Sequence, residues 1–375
     1  MRLRILFAIH GPPDPATAVF INVSAQAAYL RELGHRVDVL TPADLSRRSW
    51  NRLQPLVLPI SLTRRDLAQY DVVIFHSHLA WAHLLTRRRR QPGSERPAAV
   101  VAFHGLEPLY HEAAAQELAR TGERLSLRFR LLHRRIVPAL LKLACRRADA
   151  VFCLNSRERA FVLSEQWSAP SRVSVIPNGA PADLLAMPRS YAPIARRILF
   201  TGQWLRPKGI RYLAAAYDAL AARFPDLELT CAGTGAPPET VLAGFPRRAR
   251  SRVRVLPRFT REQLVDELAR ADLFMFPSLS EGFSGALLEA MASGLPIVTT
   301  PAGAAPDLLT DGVNAVFAPF ADAEVLAERA AALIPDRARR QALGAGARDT
   351  ARQYTWQLSN EKLESEIMRV AAARS

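Results

Sequence analysis

Three glycine-containing segments in the second half of the 375-residue chain combine backbone freedom with charge. In the first segment, Gly202 follows a short apolar run, and Lys208 stands just before a stretch with helical spacing. Glycine lets the backbone turn out of a strand, and a lysine there adds its charge to the positive end of a helix dipole. The segment therefore suits a phosphate, although a plain turn with a solvated lysine explains this segment alone equally well.

The second and third segments differ in how specifically they indicate a ligand site. Gly233 and Gly235 form a weak Gly-x-Gly signal, which turn chemistry alone explains more often than not. The third segment, residues 277–294, is the strongest because a buried-type strand, a loop and a helix start follow one another. Its N-cap residue is Ser284, so the first helical turn would present backbone amides to a diphosphate. These amides belong to Phe283, Ser284 and Gly285.

Two carboxylates accompany the third segment. Glu281 lies in the loop before the helix, and Glu289 lies within the helix, about two turns away from Glu281. If both face a ligand, each can accept hydrogen bonds from sugar or ribose hydroxyls. The alternative is that Glu281 only supports the helix dipole and Glu289 is a surface charge. The apolar neighbours of Glu289 favour a ligand or a paired donor, because an isolated carboxylate is rarely placed among such residues.

Short β-branched or aliphatic runs alternate with helical patterns along the whole chain, which predicts parallel strands joined by crossover helices. The predicted fold class is α/β, with two doubly wound domains and ligands at the carboxyl ends of the strands. We assign residues 1–185 to the first domain and residues 186–355 to the second. Residues 356–375 are predicted as a C-terminal helix that crosses back to the first domain. The predicted strands are Leu3–Ile9, Arg36–Leu40, Asp71–His76, Ala98–Phe103, Ala150–Leu154, Ile198–Thr201, Leu227–Ala232, Arg252–Leu256, Leu273–Phe276, Pro296–Thr299 and Asn314–Phe317.

As an ordered set, these motifs resemble the retaining, nucleotide-sugar-dependent glycosyltransferases of family 4. That family has the GT-B fold, in which two Rossmann-like domains face each other across a cleft. The resemblance is dense over residues 173–317 and thinner before them. The motifs that carry it are the Glu281…Glu289 pair, Gly202…Lys208-Gly209, Ile176-Pro-Asn-Gly179, Thr299…Gly303 and Asp311-Gly-Val-Asn314.

The resemblance implies roles for individual residues. Glu289 would bind the ribose hydroxyls, Glu281 the hydroxyls of the transferred sugar, and Lys208 the diphosphate. His104 would lie near the reacting centre, although a lone histidine is more often structural. The implied catalytic residues are His104, Glu281 and Lys208. The implied donor-binding residues are Gly202, Gln203, Arg206, Lys208, Gly233, Gly235, Glu281, Gly282, Phe283, Ser284, Gly285 and Glu289. The family needs no metal, so the implied cofactor is none, with the nucleotide sugar as co-substrate.

Two departures from the family pattern affect binding. Gln203 stands where the family usually has arginine, so one phosphate-binding cation is missing unless Arg206 replaces it. The turn after the first strand, residues 10–15, is poor in glycine, which leaves contacts at residues 19–22 open.

The distribution of charge along the chain indicates what the first half binds. Residues 1–195 contain 27 basic and 15 acidic side chains, whereas residues 196–375 contain 23 and 20. The first half is therefore expected to meet an anionic partner, and a lipid-linked acceptor on an anionic membrane surface fits. Residues 120–147 interleave arginine with leucine, Pro138 is expected to bend or break this helical region, and Arg87–Arg90 adds a basic cluster. The alternatives are a saccharide acceptor and a solvated arginine-rich surface whose apolar side packs on the sheet.

Other function classes fit less well. The composition, with 49% hydrophobic and 23% charged residues, excludes a disordered chain. The first half has no nucleic-acid motif, and the first strand is not followed by Gly-x-Gly-x-x-Gly, which disfavours a dehydrogenase. An epimerase or hydrolase acting on nucleotide sugars stays open. The first ten residues do not resemble a signal peptide, so we expect a cytoplasmic enzyme, peripheral at the inner face of a membrane.

Overall fold

The computed structural model describes residues 1–11, 17–45, 54–86 and 96–373. Within these residues the chain forms two compact units. The first unit contains residues 1–112, 122–178 and 357–375, and the second contains residues 113–121 and 179–356. The chain thus crosses between the units at residues 112/113 and 121/122, and again at 178/179 and 356/357, beside Gly179 and Trp356. These two residues pack closely, because a Cβ on Gly179 would lie 2.3 Å from the backbone of Trp356.

The first unit is built on a six-stranded parallel sheet in the order β2-β1-β3-β4-β5-β6. Its central strands are buried throughout, which explains why they appear in the sequence as continuous apolar runs. The strands are β1 Arg4–Ala8, β2 Arg36–Leu40, β3 Val72–His76, β4 Ala98–Ala102, β5 Ala150–Cys153 and β6 Val173–Val175. The helices are Ala18–Glu32, Pro42–Leu45, Gln54–Leu62, Ala80–Thr86, Glu107–Arg120, Leu127–Leu131, Val137–Arg147, Ser156–Ser164 and Trp356–Ala372, with Glu107–Arg120 and Trp356–Ala372 each running across a unit boundary.

The second unit repeats this arrangement with the strand order β12-β11-β10-β7-β8-β9, again all parallel. Its strands are β7 Arg197–Thr201, β8 Glu228–Ala232, β9 Val253–Leu256, β10 Leu273–Phe276, β11 Ile297–Thr299 and β12 Val316–Phe317. Its helices are Ala182–Leu185, Ile210–Arg223, Pro238–Ala243, Arg247–Arg250, Arg261–Arg270, Gly285–Ala292, Ala305–Leu308, Ala323–Leu333 and Arg337–Ala351. The two parallel sheets with flanking helices confirm the predicted fold class.

Some predicted elements need correction. The strand β6 is absent from the predicted strands. The sequence pattern predicts residues 120–147 as helical throughout, whereas residues 121–126 separate two helical segments. The bend expected at Pro138 takes the form of a π-helical turn, Leu132–Ile136, just before it. The Arg87–Arg90 cluster and residues 12–15 lie outside the described residues, and residues 19–22 lie within the helix Ala18–Glu32.

Candidate donor site

The three glycine-containing segments follow strands that are direct neighbours in the second sheet. The order β10-β7-β8 places the loops after these strands side by side at the carboxyl edge, because all strands are parallel. The backbone amide of Gly202 donates to the carbonyl of Ala232 over 2.9 Å, and that of Trp204 donates to Thr234 over 2.8 Å. The first and second segments are therefore tied together through their backbones.

Glycine is required where the first segment enters its helix. Residues Arg206–Lys208 form a 3-10 turn, and Gly209 caps the helix Ile210–Arg223 with φ +70°. A Cβ on Gly209 would lie 1.8 Å from the carbonyl oxygen of Pro277. The Lys-Gly pair therefore allows the turn to lie directly against the loop that follows β10.

Backbone and side-chain bonds then join Lys208 to Glu281. The amide of Leu279 donates to the carbonyl of Pro207 over 2.7 Å. Lys208 Nζ lies 2.7 Å and 2.9 Å from the two carboxylate oxygens of Glu281. The Glu281 side chain is 9% exposed and Lys208 24%, so this pair is partly shielded from solvent. Ser278 Oγ contacts the same carboxylate, and the Lys208 ammonium lies 5.8 Å from the centre of the Phe276 ring.

The helix Gly285–Ala292 begins directly after this pair. Ser284 is its N-cap, and its hydroxyl accepts a hydrogen bond of 3.4 Å from the amide of Leu287. The loop behind it is held by Gly303, where a Cβ would lie 2.5 Å from the carbonyl oxygens of Glu281 and Gly282. The first amides of a helix have no partner within the helix and carry partial positive charge. Lys208 and this helix start thus both present positive charge on the side of the site near Glu281.

Glu289 is paired with Arg261, a residue to which no sequence pattern points. Arg261 NH1 lies 3.2 Å from Glu289 Oε1, and the other nitrogens of Arg261 bind Asp183. Burial raises the pKa of Glu289 to about 7, while the positive charge of Arg261 and its hydrogen bond act in the opposite direction. Neither Arg261 nor Asp183 belongs to a motif, and they are 78 positions apart in the sequence.

The remaining candidates of the second unit lie around this centre. Gly233 and Gly235 adopt φ values of +70° and +61° at the end of β8, and Gln203 is exposed. Arg206 NH1 lies 3.5 Å from Thr121 Oγ1, at a groove of about 450 Å³ that Trp204 also lines. Asn314 makes hydrogen bonds to Thr310 and Leu308, so the motif that contains it supports the fold.

His104 belongs to the first unit and follows β4. Its ring stacks on that of His76, with centroids 4.4 Å apart and an angle of 10° between the planes. Burial and the nearby His10 lower the pKa of His104 to about 3. Burial, together with His104 and His10, places the pKa of His76 well below its usual value. Both rings are therefore neutral near pH 7.

A second polar group of the first unit surrounds Glu107. His78 Nδ1 lies 2.9 Å from Glu107 Oε1, and Ser77, with φ +53°, donates its hydroxyl to the same oxygen. Burial opposes the charge on Glu107, but the bonds from His78 and Ser77 prevail and lower its pKa to about 2. The sequence contains a signal for the polar side chains of the first unit. His10, His76, His78 and His104 all lie at or just after the ends of predicted strands.

Neither a metal-binding cluster nor a membrane-spanning helix is found in the part of the chain that the structure describes. Among residues 1–11, 17–45, 54–86 and 96–373, no group of three or more His, Cys, Asp or Glu side chains is arranged to hold a metal ion. In the same ranges, no helix has both the length and the apolar character needed to cross a membrane.

The chain matches two family models and several curated proteins. Residues 23–184 match the model described as glycosyltransferase family 4, and residues 195–336 match glycosyl transferases group 1. It is 29% identical over 235 residues to D-inositol 3-phosphate glycosyltransferase of Corynebacterium diphtheriae, covering 57% of this chain and 55% of the relative. It is 31% identical over 203 residues to phosphatidyl-myo-inositol mannosyltransferase of Mycolicibacterium smegmatis, covering 52% and 50%. The matched part spans about half the length of these relatives.

Solved structures agree with the fold. Sucrose-phosphate synthase from Thermosynechococcus elongatus is similar with a TM-score of 0.78 and 17% identity, covering 99% of this chain and 100% of that one. HepE of Anabaena, solved in complex with UDP-glucose, is similar with a TM-score of 0.70 and 18% identity, covering 98% and 100%. These similarities confirm the GT-B type of fold. With a family 4 domain matched in its first half and a group 1 domain in its second, the chain belongs to the family 4 glycosyltransferases.

Proposed function

We propose that this protein is a retaining, metal-independent hexosyltransferase. It takes a hexose from a UDP- or GDP-sugar and transfers it to a lipid-linked or saccharide acceptor, in the assembly of a bacterial-type surface polysaccharide or glycolipid. The observation that carries the proposal is the Lys208–Glu281 pair beside the start of the helix Gly285–Ala292. Cation, carboxylate and helix amides together suit the diphosphate and hydroxyls of a nucleotide sugar.

The reaction breaks the bond between the anomeric carbon and the diphosphate oxygen, and it forms a bond from the acceptor oxygen to the same face of that carbon. Negative charge develops on the leaving diphosphate. Lys208 and the helix amides would stabilise that charge, and each donor aimed in advance contributes about 3–4 kcal/mol. The leaving phosphate oxygen takes the acceptor proton, so no separate base is needed. In this proposal Glu281 contacts sugar hydroxyls, Glu289 binds the ribose, and neutral His104 lies beside the transferred sugar.

The curated relatives guide the choice of substrate. Their names describe transfer to inositol phosphate and to phosphatidyl-myo-inositol, and HepE was solved with UDP-glucose. These acceptors are anionic, which agrees with the basic excess of the first half of this chain. We therefore place the enzyme at the cytoplasmic face of a membrane, bound peripherally through its first unit to anionic lipid.

A donor panel tests the proposal. UDP- and GDP-sugars are screened for thermal stabilisation of the full chain, where a ligand at about 100 times its dissociation constant adds about 2.7 kcal/mol. The stabilising donor is then incubated with lipid extracts in excess EDTA. We expect a glycosylated product with retained anomeric configuration and undiminished turnover. Free sugar or an epimerised nucleotide sugar as the main product would support the hydrolase or epimerase alternative, and a loss of turnover restored by Mg²⁺ or Mn²⁺ would contradict metal independence.

A further inference from the structure

Arg261 makes two different ion pairs through one guanidinium group. It is the first residue of the helix Arg261–Arg270, whose start is fixed by a capping box between Thr260 and Gln263. Its Nε and NH2 lie 3.1 Å and 2.8 Å from the carboxylate of Asp183, and its NH1 lies 3.2 Å from Glu289 Oε1. Because the guanidinium is planar and rigid, the bidentate pair with Asp183 fixes the direction in which NH1 points.

This arrangement determines which part of Glu289 is available. NH1 occupies one side of Oε1, so the second carboxylate oxygen can accept hydrogen bonds from a ligand. The Glu289 side chain is 22% exposed and therefore open to a ligand on one side. Two neighbouring hydroxyls can both donate charge-assisted hydrogen bonds to such a carboxylate.

Arg261 also favours the charged form of Glu289. Burial favours the protonated carboxyl, Asp183 adds to that tendency, and Arg261 opposes both. Arg348, from the helix Arg337–Ala351 that packs on the same element, donates instead to the carbonyl of Ser293. Of the charged groups in the described residues, Arg261 is thus the cation that acts on Glu289.

We propose that Arg261, held by Asp183, is a positioning residue that aims the Glu289 carboxylate at the vicinal diol of a ribose. The donor site would then select ribonucleotides over 2′-deoxyribonucleotides through Arg261. This inference rests on the proposed function, because it assumes a nucleotide in the site, but it assigns a residue outside the motifs.

The test compares nucleotides that differ by one hydroxyl. Dissociation constants are measured by calorimetry for UDP against 2′-deoxy-UDP, and for GDP against 2′-deoxy-GDP. The proteins are the wild type and the variants Arg261→Met, Arg261→Lys and Arg248→Met. Arg248 forms an exposed bidentate pair with Asp218 in the same unit, so its replacement is a matched control. Thermal melting of each variant confirms that it is folded.

We expect Arg261→Met to weaken ribonucleotide binding by about tenfold, which corresponds to about 1.4 kcal/mol. The affinity for the 2′-deoxyribonucleotide should change by less than about twofold. The ratio of ribonucleotide affinity to 2′-deoxyribonucleotide affinity should therefore fall. The ribonucleotide affinity of Arg261→Lys should lie between those of the wild type and Arg261→Met, because lysine keeps the charge but lacks the rigid planar guanidinium. Arg248→Met should leave the ratio unchanged.

The outcomes separate this inference from the function. If the wild type transfers sugar but Arg261→Met weakens both nucleotides equally, Arg261 is merely structural and the inference is wrong. Unchanged affinities in Arg261→Met also overturn it. If the wild type binds neither UDP nor GDP, the proposed function and the inference both fail.

Discussion

The ion pair with Glu281 compensates the positive charge of Lys208. This explains how a charged ammonium group is accommodated in a partly buried site. The two contacts of 2.7 Å and 2.9 Å hold the ammonium group at one place. A diphosphate would add its own negative charge and share the ammonium with Glu281. The carboxylate thus orders Lys208 in advance, which reduces the entropy lost on binding.

We predict that Lys208→Ala lowers kcat/KM for the donor by at least about tenfold. The loss has two causes, because the diphosphate loses its cation and Glu281 keeps a charge without its partner. Lys208→Arg should recover only part of the activity, since the guanidinium is larger and planar. Steady-state kinetics with varied donor measure the effect, and Lys362→Ala, at an exposed lysine of the C-terminal helix, is the control. Unchanged kinetics in Lys208→Ala would rule out the diphosphate role.

The pKa of Glu289, raised by burial to about 7, predicts a pH dependence of donor binding. The ionised carboxylate accepts hydrogen bonds from hydroxyls, whereas the protonated form is a weaker acceptor. The dissociation constant of the nucleotide should therefore rise as the pH falls through about 7. Calorimetry across this range with the wild type and Glu289→Gln separates the effect from titration of the phosphates. The prediction fails if Glu289→Gln shows the same pH dependence.

At the scale of elements, the segment Leu127–Arg147 combines a buried and an exposed face. Leu132, Val137 and Leu141 are buried in the core beside the first sheet, which supports the packing interpretation of its apolar residues. Leu127 and Leu131, one turn apart, are nevertheless 64% and 45% exposed. The π-helical turn precedes Pro138 because proline cannot donate a hydrogen bond and crowds the preceding turn, so the amide of Val137 bonds back to Leu132.

We predict that this segment binds anionic membranes. Exposed leucines flanked by arginines can insert at the interface, and each basic residue near the surface contributes about 1 kcal/mol. The wild type should co-sediment with vesicles containing anionic lipid, less with neutral vesicles, and less at high salt. The pairs Leu127→Ala/Leu131→Ala and Arg130→Glu/Arg135→Glu should weaken binding, whereas Arg270→Glu in the second unit should not. Equal recovery of the wild type in the supernatant under every condition would leave only an acceptor free of the membrane.

Elements with strong local signals were predictable from the sequence. The predicted strands agree with the observed ones to within about two residues, because central parallel strands are continuous apolar runs. β6 was missed because it has three residues and is only partly buried. The helix Arg337–Ala351 has a weak sequence signal because it contains Gly344 and Gly346, and glycine disfavours helices. Gly344 is needed for packing, since a Cβ there would lie 2.2 Å from the carbonyl oxygen of Gly294.

The candidate site likewise contains contacts that the sequence predicts and contacts that it does not. The proximity of Lys208 and Glu281 follows from loops at the carboxyl ends of neighbouring strands, so the topology predicts it. The contact between Arg261 and Glu289 depends on where two helices begin and which way one side chain points. A pattern of residue types carries no such information. The histidines near His76 lie at the carboxyl ends of β1, β3 and β4, which are neighbours in the first sheet, so the topology predicts their proximity although no sequence motif joins them.

For the whole molecule, the final helix makes both ends of the chain part of the first unit. Residues 357–375 cluster with this unit rather than with the sequence that precedes them. The apolar face of the helix is buried with Phe7 and Ile74 of the first sheet, through Leu363, Ile367 and Val370. Hydrogen bonds from Ser174 to Glu366 and from Ser359 to the carbonyl of Pro177 add polar contacts. This helix therefore supplies part of the apolar cover of the first sheet.

This topology predicts that a substitution near the C-terminus destabilises strands near the N-terminus. Ile367 is fully buried, and replacing it with alanine should cost about 2–5 kcal/mol. Leu358, on the same helix but 49% exposed, is the matched control, and Leu358→Ala should cost less than about 0.5 kcal/mol. Hydrogen exchange followed by mass spectrometry should show faster exchange in β1 and β3 of Ile367→Ala before any change in β7 and β8. Faster exchange confined to the second sheet, or equal destabilisation by the two variants, would show that the helix does not support the first core.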